Sequence, residues 1–385
     1  MKAAILSVEN GDPLAALRGF LRRLLETRMV GMILVPKALP SGAGFVQTLI
    51  RDPAMLDDVH PVAPTMPVQS ARILSGLTVG DPGERIGAVL KPCELRAAVE
   101  LTKFLQVKLD HLVTIGVDCP GTYEVEDYAR VAGEKGAGDS LWEGMVRGVK
   151  TGRLDGQEEE GIALRLACRI CENPVPVNAD ITFGFFGHDP SREIEVIVGE
   201  RVVGEFEERG IIGLSSEESS ERGQVISQLK EERIRKRDEV FGRFRQQTTD
   251  LQALMSTFST CVRCHNCMVA CPICYCKECV FRTPTFEHQS NQFVRWADRK
   301  GGIQMPTDTL IFHLTRLAHM ATSCIGCGLC DSACPSGLPV MTLFRTVAQG
   351  VQSLFDYLPG RDPEETPPVA TFREDELQVE TGAKD

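Results

Sequence analysis

The chain predicts an α/β (α+β) domain followed by a mostly helical, cysteine-rich domain. Two observations carry this. Short apolar runs alternate with amphipathic ones over roughly the first 120 residues, and the run C-x2-C-x2-C-x3-C-P occurs twice, from Cys261 and from Cys324, with a helix-period stretch between. The chain has 385 residues, 43% of them apolar, which fits a globular protein of two or three domains. Its net charge of −11 argues against nucleic acid as a partner.

No apolar stretch is long enough for a transmembrane segment, and "MKAAILSVENGDPLAAL" lacks the features of a secretory signal, so the expected location is cytoplasmic. Fifteen cysteines, an odd number, then point to a reducing compartment where thiols serve metals rather than disulfides.

Each element has its own signal. "KAAILSV" and "VGMILVP" read as strands around the helix "PLAALRGFLRRLLETR", whose Leu14, Leu17, Leu21, Leu24 and Leu25 recur at helical spacing. "RIGAVLK", "PCELRAAVELTKFLQ" and "HLVTIGVDCPG" read as strand, helix and strand. Cys93 and Cys119 therefore follow strand ends, where a parallel sheet gathers its ligands. Residues 133–161, Gly-rich and charged, suggest connecting structure or a small hairpin, and "IEVIVG" and "RVVGEF" suggest further strands. This first domain spans 1–214.

Residues 215–258 read as a solvated helical linker that opens on a capping box from Ser215 to Glu218. The second domain, 259–358, contains "TDTLIFHLTRLAHMATS", with Leu310, Leu314, Leu317 and Ala321 at helical spacing. Residues 359–385 are proline-rich and acidic, and a disordered acidic tail is expected.

In each repeated run three thiolates wrap one cubane face, while the fourth, before proline, serves the other cluster. One [4Fe–4S] cluster is thus expected on Cys261, Cys264, Cys267 and Cys334, and a second on Cys324, Cys327, Cys330 and Cys271. Cys93, Cys119, Cys168 and Cys171 could hold a third cluster or a zinc ion, or be inert buried thiols. Cys274, Cys276 and Cys279 suggest a zinc or further iron–sulfur site completed by His265, His288 or a partner group, or thiols that merely surround the neighbouring cluster. His313 and His319 lie on the helix before Cys324, where packing or support of a cluster is expected.

"AVLKPCELRAAVELTKF", "IGVDCPG" and "CRICENPVPVNADITFG" resemble the coenzyme F420 hydrogenase/dehydrogenase beta subunit family, of the F420-linked formate dehydrogenase type, over about residues 1–215. The resemblance implies an FAD-binding domain with a [4Fe–4S] cluster on Cys93, Cys119, Cys168 and Cys171. It makes Asp180, Thr182 and Gly184 candidate flavin contacts; Lys91 either faces an anionic flavin or ends its strand. The family's amino-terminal G-G-x-x-T segment is replaced here by "SVENGDPLAALRGF".

The expected function is an oxidoreductase subunit of an anaerobic complex. It would pass electrons between a soluble redox carrier (F420, NAD(P)H or ferredoxin) at the flavin and a formate dehydrogenase or hydrogenase type catalytic subunit. The alternative is an electron-transfer adaptor with no substrate site, serving a heterodisulfide-reductase-like partner. No G-x-x-x-x-G-K-[ST], H-E-x-x-H or G-x-S-x-G motif occurs in the sequence.

Overall fold

Five consecutive buried residues, Ile86–Leu90, form a strand with no solvent face, as the middle of a parallel sheet requires. The structure is a computed structural model that describes residues 2–133, 137–152, 154, 161–214, 220–286, 290–302 and 307–371. Its strands are β1 (Lys2–Ser7), β2 (Met32–Ala38), β3 (Phe45–Ile50), β4 (Ile86–Leu90), β5 (Leu112–Val117), β6 (Ile181–Gly184) and β7 (Glu193–Val198). They form one sheet in the order β1-β7-β6-β5-β4-β2-β3. β2, β4, β5 and β6 run parallel, whereas β1 and β3 pair antiparallel at the two edges.

The helices of the first domain are α1 (Pro13–Glu26), α2 (Ser70–Leu77), α3 (Pro92–Lys103), α4 (Val125–Ala132), α5 (Ala137–Thr151), α6 (Leu166–Arg169) and α7 (Val203–Glu208). Then come α8 (Ser220–Gln247), α9 (Leu251–Thr257), α10 (Asn266–Ala270), α11 (Ser290–Lys300), α12 (Thr307–Met320), α13 (Leu329–Ser332) and α14 (Val340–Leu354). Among the described residues no helix is long and apolar enough to cross a membrane.

Several expectations are corrected. "RVVGEF" is helix α7 rather than a strand: a turn at Gly199 starts it, and Val202 and Phe206, four apart, face the core together. Within 133–161, α5 replaces the expected hairpin, because Leu141, Met145 and Val149 make one buried stripe.

Helix α8 is not merely solvated. Ile226, Leu229, Arg233, Phe241 and Phe244 are buried along it, and it meets both domains: Arg233 donates to Pro120 O at 2.6 Å and Arg245 to Gln349 at 3.0 Å. The capping box from Ser215 to Glu218 lies outside the described residues.

The first residues of the expected tail are held on the fold. Tyr357 Oη donates to the buried Glu100 carboxylate at 2.7 Å and Gly360 N at 3.0 Å, so the chain is held on α3 past residue 359. Residues 372–385 lie outside the described ones.

One apolar core fills one face of the sheet around Leu17, Phe20, Phe183 and Phe206. A second joins α3 and β4 to Phe258, Met268, Ile273, Phe312 and Phe344 of the cysteine-rich domain. The two domains therefore share a core, which fixes the distance between their cysteines.

Candidate iron–sulfur centres

The first set of thiols grows from strand ends. β4 runs through Lys91 and Pro92 into α3, placing Cys93 in its first turn, and Cys119 follows β5, its N–H bonded to Pro174 O at 2.8 Å. Cys168 lies in α6 and Cys171 just beyond, its N–H bonded to Cys168 O at 3.2 Å. Gly121, at φ +135°, lets the loop after Cys119 pass Cys168: a Cβ there would stand 3.3 Å from Cys168 Cβ and 2.8 Å from Leu164.

The four thiols bear on one another electrostatically, Cys93 with Cys119 and Cys171, and Cys119 with Cys168 and Cys171. Burial pushes Cys93 well up and Cys119 up to about 12. Burial also opposes ionisation of Cys168, but Arg165 and the Thr122 hydroxyl outweigh it and bring this thiol down. Buried thiols that resist ionising in water's absence are suited to a cationic iron core, which ionises them on binding.

The repeated runs fold alike. Arg263 and His265 take φ of +57° and +60°, and the matching Gly326 and Gly328 take +79° and +75°, so both loops wind with left-handed residues two and four positions after their first cysteine. Cys264 and Cys334 both act on the thiols of Cys261 and Cys267. Cys271, Cys324, Cys327 and Cys330 line one apolar cavity with Arg316, Met341 and Phe344. The chain thus brings the fourth cysteine of each run to the other run's first three.

Donors surround these sulfurs. Arg316 Nη1 donates to Cys267 Sγ at 3.1 Å, Leu338 N to Cys334 Sγ at 3.4 Å, and His313 Nε2 lies 3.5 Å from Cys261 Sγ. Of the expected stripe on α12, Leu317 packs on the core and Ala321 is buried, but Leu314 is exposed, and Phe312, His313, Arg316 and Met320 are buried on the helix instead. Buried sulfur recruits polar donors that a count of apolar spacing does not register. His319 is exposed.

Among the described residues no three His, Cys, Asp or Glu side chains close on one point as a single zinc ion requires; a cubane instead spreads its thiolates around a larger core. Cys274, Cys276 and Cys279 turn to different neighbours. Cys274 hydrogen-bonds Cys271, Cys276 is exposed, and Cys279 Sγ lies 4.0 Å from Met268 Sδ. His265 stacks on Phe312 at 4.5 Å, and His288 lies outside the described residues.

The expected flavin contacts are engaged elsewhere. Asp180 Oδ2 accepts from Thr114 N at 2.7 Å and Thr114 Oγ1 at 2.8 Å, and its Oδ1 from Arg201 Nε at 2.6 Å. Thr182 sits within β6 between Gly116 and Ile197, and Gly184 leaves room for Arg222, whose Cζ would be 3.1 Å from a Cβ there.

Lys91 is buried, and its charge bears on His60 and Cys119. Burial, then Lys91 and Arg18, bring the His60 imidazole down to about 3. His60 Nδ1 and Thr65 Oγ1 are buried without a hydrogen-bond partner. His60 meets Phe45 and Trp142 edge-on at 5.1 and 4.9 Å, and Met66 Sδ lies 4.0 Å from Cys93 Sγ. His60, Thr65, Arg165 and Arg316 carry no motif that sequence reading could find.

Residues 83–220 match the family model for the carboxyl-terminal part of the coenzyme F420 hydrogenase/dehydrogenase beta subunit, and residues 257–338 match the 4Fe-4S dicluster domain. The F420-dependent formate dehydrogenase subunit beta of Methanocaldococcus jannaschii is 27% identical over 297 residues, covering 72% of this chain and 74% of that one. The F420-dependent formate dehydrogenase 1 subunit beta of Methanococcus maripaludis is 26% identical over 305 residues, 74% of this chain and 75% of that one. A chain of the xenon-derivatized F420-reducing [NiFe] hydrogenase complex from Methanosarcina barkeri aligns over 66% of this chain and 94% of its own, with a TM-score of 0.44 at 12% identity. By these matches the chain is an oxidoreductase subunit similar to the coenzyme F420 hydrogenase/dehydrogenase beta subunits over residues 83–220, with a 4Fe-4S dicluster domain over residues 257–338.

Proposed function

We propose that this chain is the iron–sulfur flavoprotein subunit of an anaerobic oxidoreductase complex. It conducts electrons between a soluble carrier at FAD and a formate dehydrogenase or hydrogenase type catalytic subunit. The observation that carries this reading is three consecutive sets of four thiols. Cys93, Cys119, Cys168 and Cys171 stand first; Cys271, Cys324, Cys327 and Cys330 are in the middle, for Cys327 acts on Cys93. Cys261, Cys264, Cys267 and Cys334 come last, where Cys264 is exposed and offers an edge to a partner.

His60 Nδ1, on a ring that Phe45 and Trp142 hold and the Lys91 charge reaches, lacks a partner, as does the buried Thr65 Oγ1, and open polar atoms of this kind suit the polar edge of a flavin. Bound there, FAD would exchange electron pairs with a hydride carrier and single electrons with clusters. The chain's own part is to hold it: Lys91 supplies positive charge, His60 and Thr65 hydrogen bonds, and Met66 the contact with Cys93.

An adaptor serving a heterodisulfide-reductase-like partner is the second reading, favoured by the start of α1. Asp12 caps that helix by accepting from Ala15 N at 3.0 Å, where the family has its G-G-x-x-T segment. An anaerobic preparation separates the two. About twelve irons per chain, at four per cubane, one FAD, and bleaching by reduced F420 support the enzyme reading. About eight irons and no flavin would leave the adaptor.

A further inference from the structure

We infer that Arg165 and Arg316 are positioning residues that couple neighbouring cluster sites: each hydrogen-bonds one set of thiols while its charge also raises the reduction potential of the next. The inference rests on the three-cluster reading above.

Arg316 has contacts on two sides. Its Nη1 and Nη2 reach Cys267 Sγ and Cys267 O, each at 3.1 Å, in the last set. The same side chain lines the cavity formed by the four thiols of the middle set. The rings of Phe312 and Phe344 lie 5.4 and 5.0 Å from its guanidinium carbon and hold it there.

Arg165 repeats the arrangement at the other joint. Its Nη2 lies 3.8 Å from Cys168 Sγ in the first set, its Nε donates to Thr122 Oγ1 at 2.8 Å, and its Nη1 donates to Ser332 Oγ at 3.2 Å. Ser332 closes α13, the helix that carries Cys330 of the middle set. The charges of Cys168 and Glu124, then of Cys93 and Cys327, act on Arg165, and those of Cys267, Cys271 and Cys274 on Arg316.

Arg165 and Arg316 are only 5% and 3% exposed, and among the described residues neither forms a salt bridge with a carboxylate. A buried cation is costly unless countered; the charges acting on Arg316 are all thiols, and on Arg165 Cys168 acts ahead of the Glu124 carboxylate, so anionic sulfur on either side supplies most of the counter-charge. Reduction adds negative charge to a cluster, and a fixed cation nearby favours it. Because these sites are buried, salt screens the effect little.

The test is a redox titration of the full chain, followed by the paramagnetic signal of each cluster. Arg165→Gln should lower the potentials of the first and middle clusters and leave the last unmoved. Arg316→Gln should lower the middle and last and leave the first. The middle cluster alone should respond to both. Ser332→Ala, which keeps the charge, should move none.

Arg165→Lys and Arg316→Lys keep the charge but lose the fork, and both neighbours should stay near their wild-type potentials. These variants decide the matter if a Gln variant loses iron. The inference is overturned if a Gln variant shifts only the cluster whose thiol it contacts, or if a Lys variant lowers that cluster alone; either result marks a local hydrogen bond. Failure of the three-cluster reading looks different, since the wild type would then hold about eight irons and give no signal from the first set.

Discussion

Gly328 and Ala167 touch across the joint between the two domains so closely that a Cβ on Gly328 would overlap that of Ala167. Gly328 sits at φ +75° between Cys327 and Cys330, and Ala167 lies beside Cys168. Gly328→Ala should therefore cost about 2–4 kcal/mol from strain and overpacking together. Denaturation midpoints and iron retention would measure it; an unchanged midpoint would contradict the contact. His265, at the matching position of the first run, already takes φ +60°, so His265→Gly should be nearly neutral to backbone stability.

The crossed arrangement of the runs makes Cys271 and Cys334 informative. Cys271→Ala should abolish the signal of the cluster on Cys324, Cys327 and Cys330, and Cys334→Ala the signal of the other. If each substitution instead removes the cluster of its own run, the pairing is uncrossed.

Lys91→Gln should lower the ratio of flavin to protein while leaving the iron content unchanged, because the Lys91 charge acts on His60, whose Nδ1 lacks a partner. Flavin absorbance after gentle desalting would check it. Full flavin retention would remove Lys91 from the site.

His60 predicts a pH dependence. Its imidazole stays neutral in the fold down to about pH 3, against 6.5 when free, chiefly through burial. Its contribution to stability is thus complete above 6.5 and is lost as pH falls, for the unfolded chain binds a proton that the fold refuses. Between pH 7 and pH 5 this amounts to about 2 kcal/mol. His60→Gln should flatten that part of the curve in urea titrations; an identical slope would show that His60 is not the group responsible.

Tyr357→Phe should destabilise by about 2 kcal/mol, since the Tyr357 hydroxyl meets the fully buried Glu100 carboxylate at 2.7 Å. Thermal unfolding would register the loss. Gly360→Ala should act similarly, for its Cβ would stand 2.5 Å from Arg96 Cα at a φ of +74°.

Short-range matters were legible in the residues alone. The spacing from Cys261 to Cys271 and from Cys324 to Cys334 spells the dicluster domain, because a few loop residues between thiolates leave them little choice of ligand. The strands and helix around Cys93 were legible for the same local reason: runs of one apolar period admit one kind of element. Other decisions belong to the tertiary structure. β1 pairs with β7 rather than with β2, the next strand along the chain, and "RVVGEF" coils into a helix that buries Val202 and Phe206 on one side. Arg165, Arg316, His60 and Thr65 acquire their meaning only from groups far along the chain, since burial removes water and leaves each polar atom whatever partner packing brings to it.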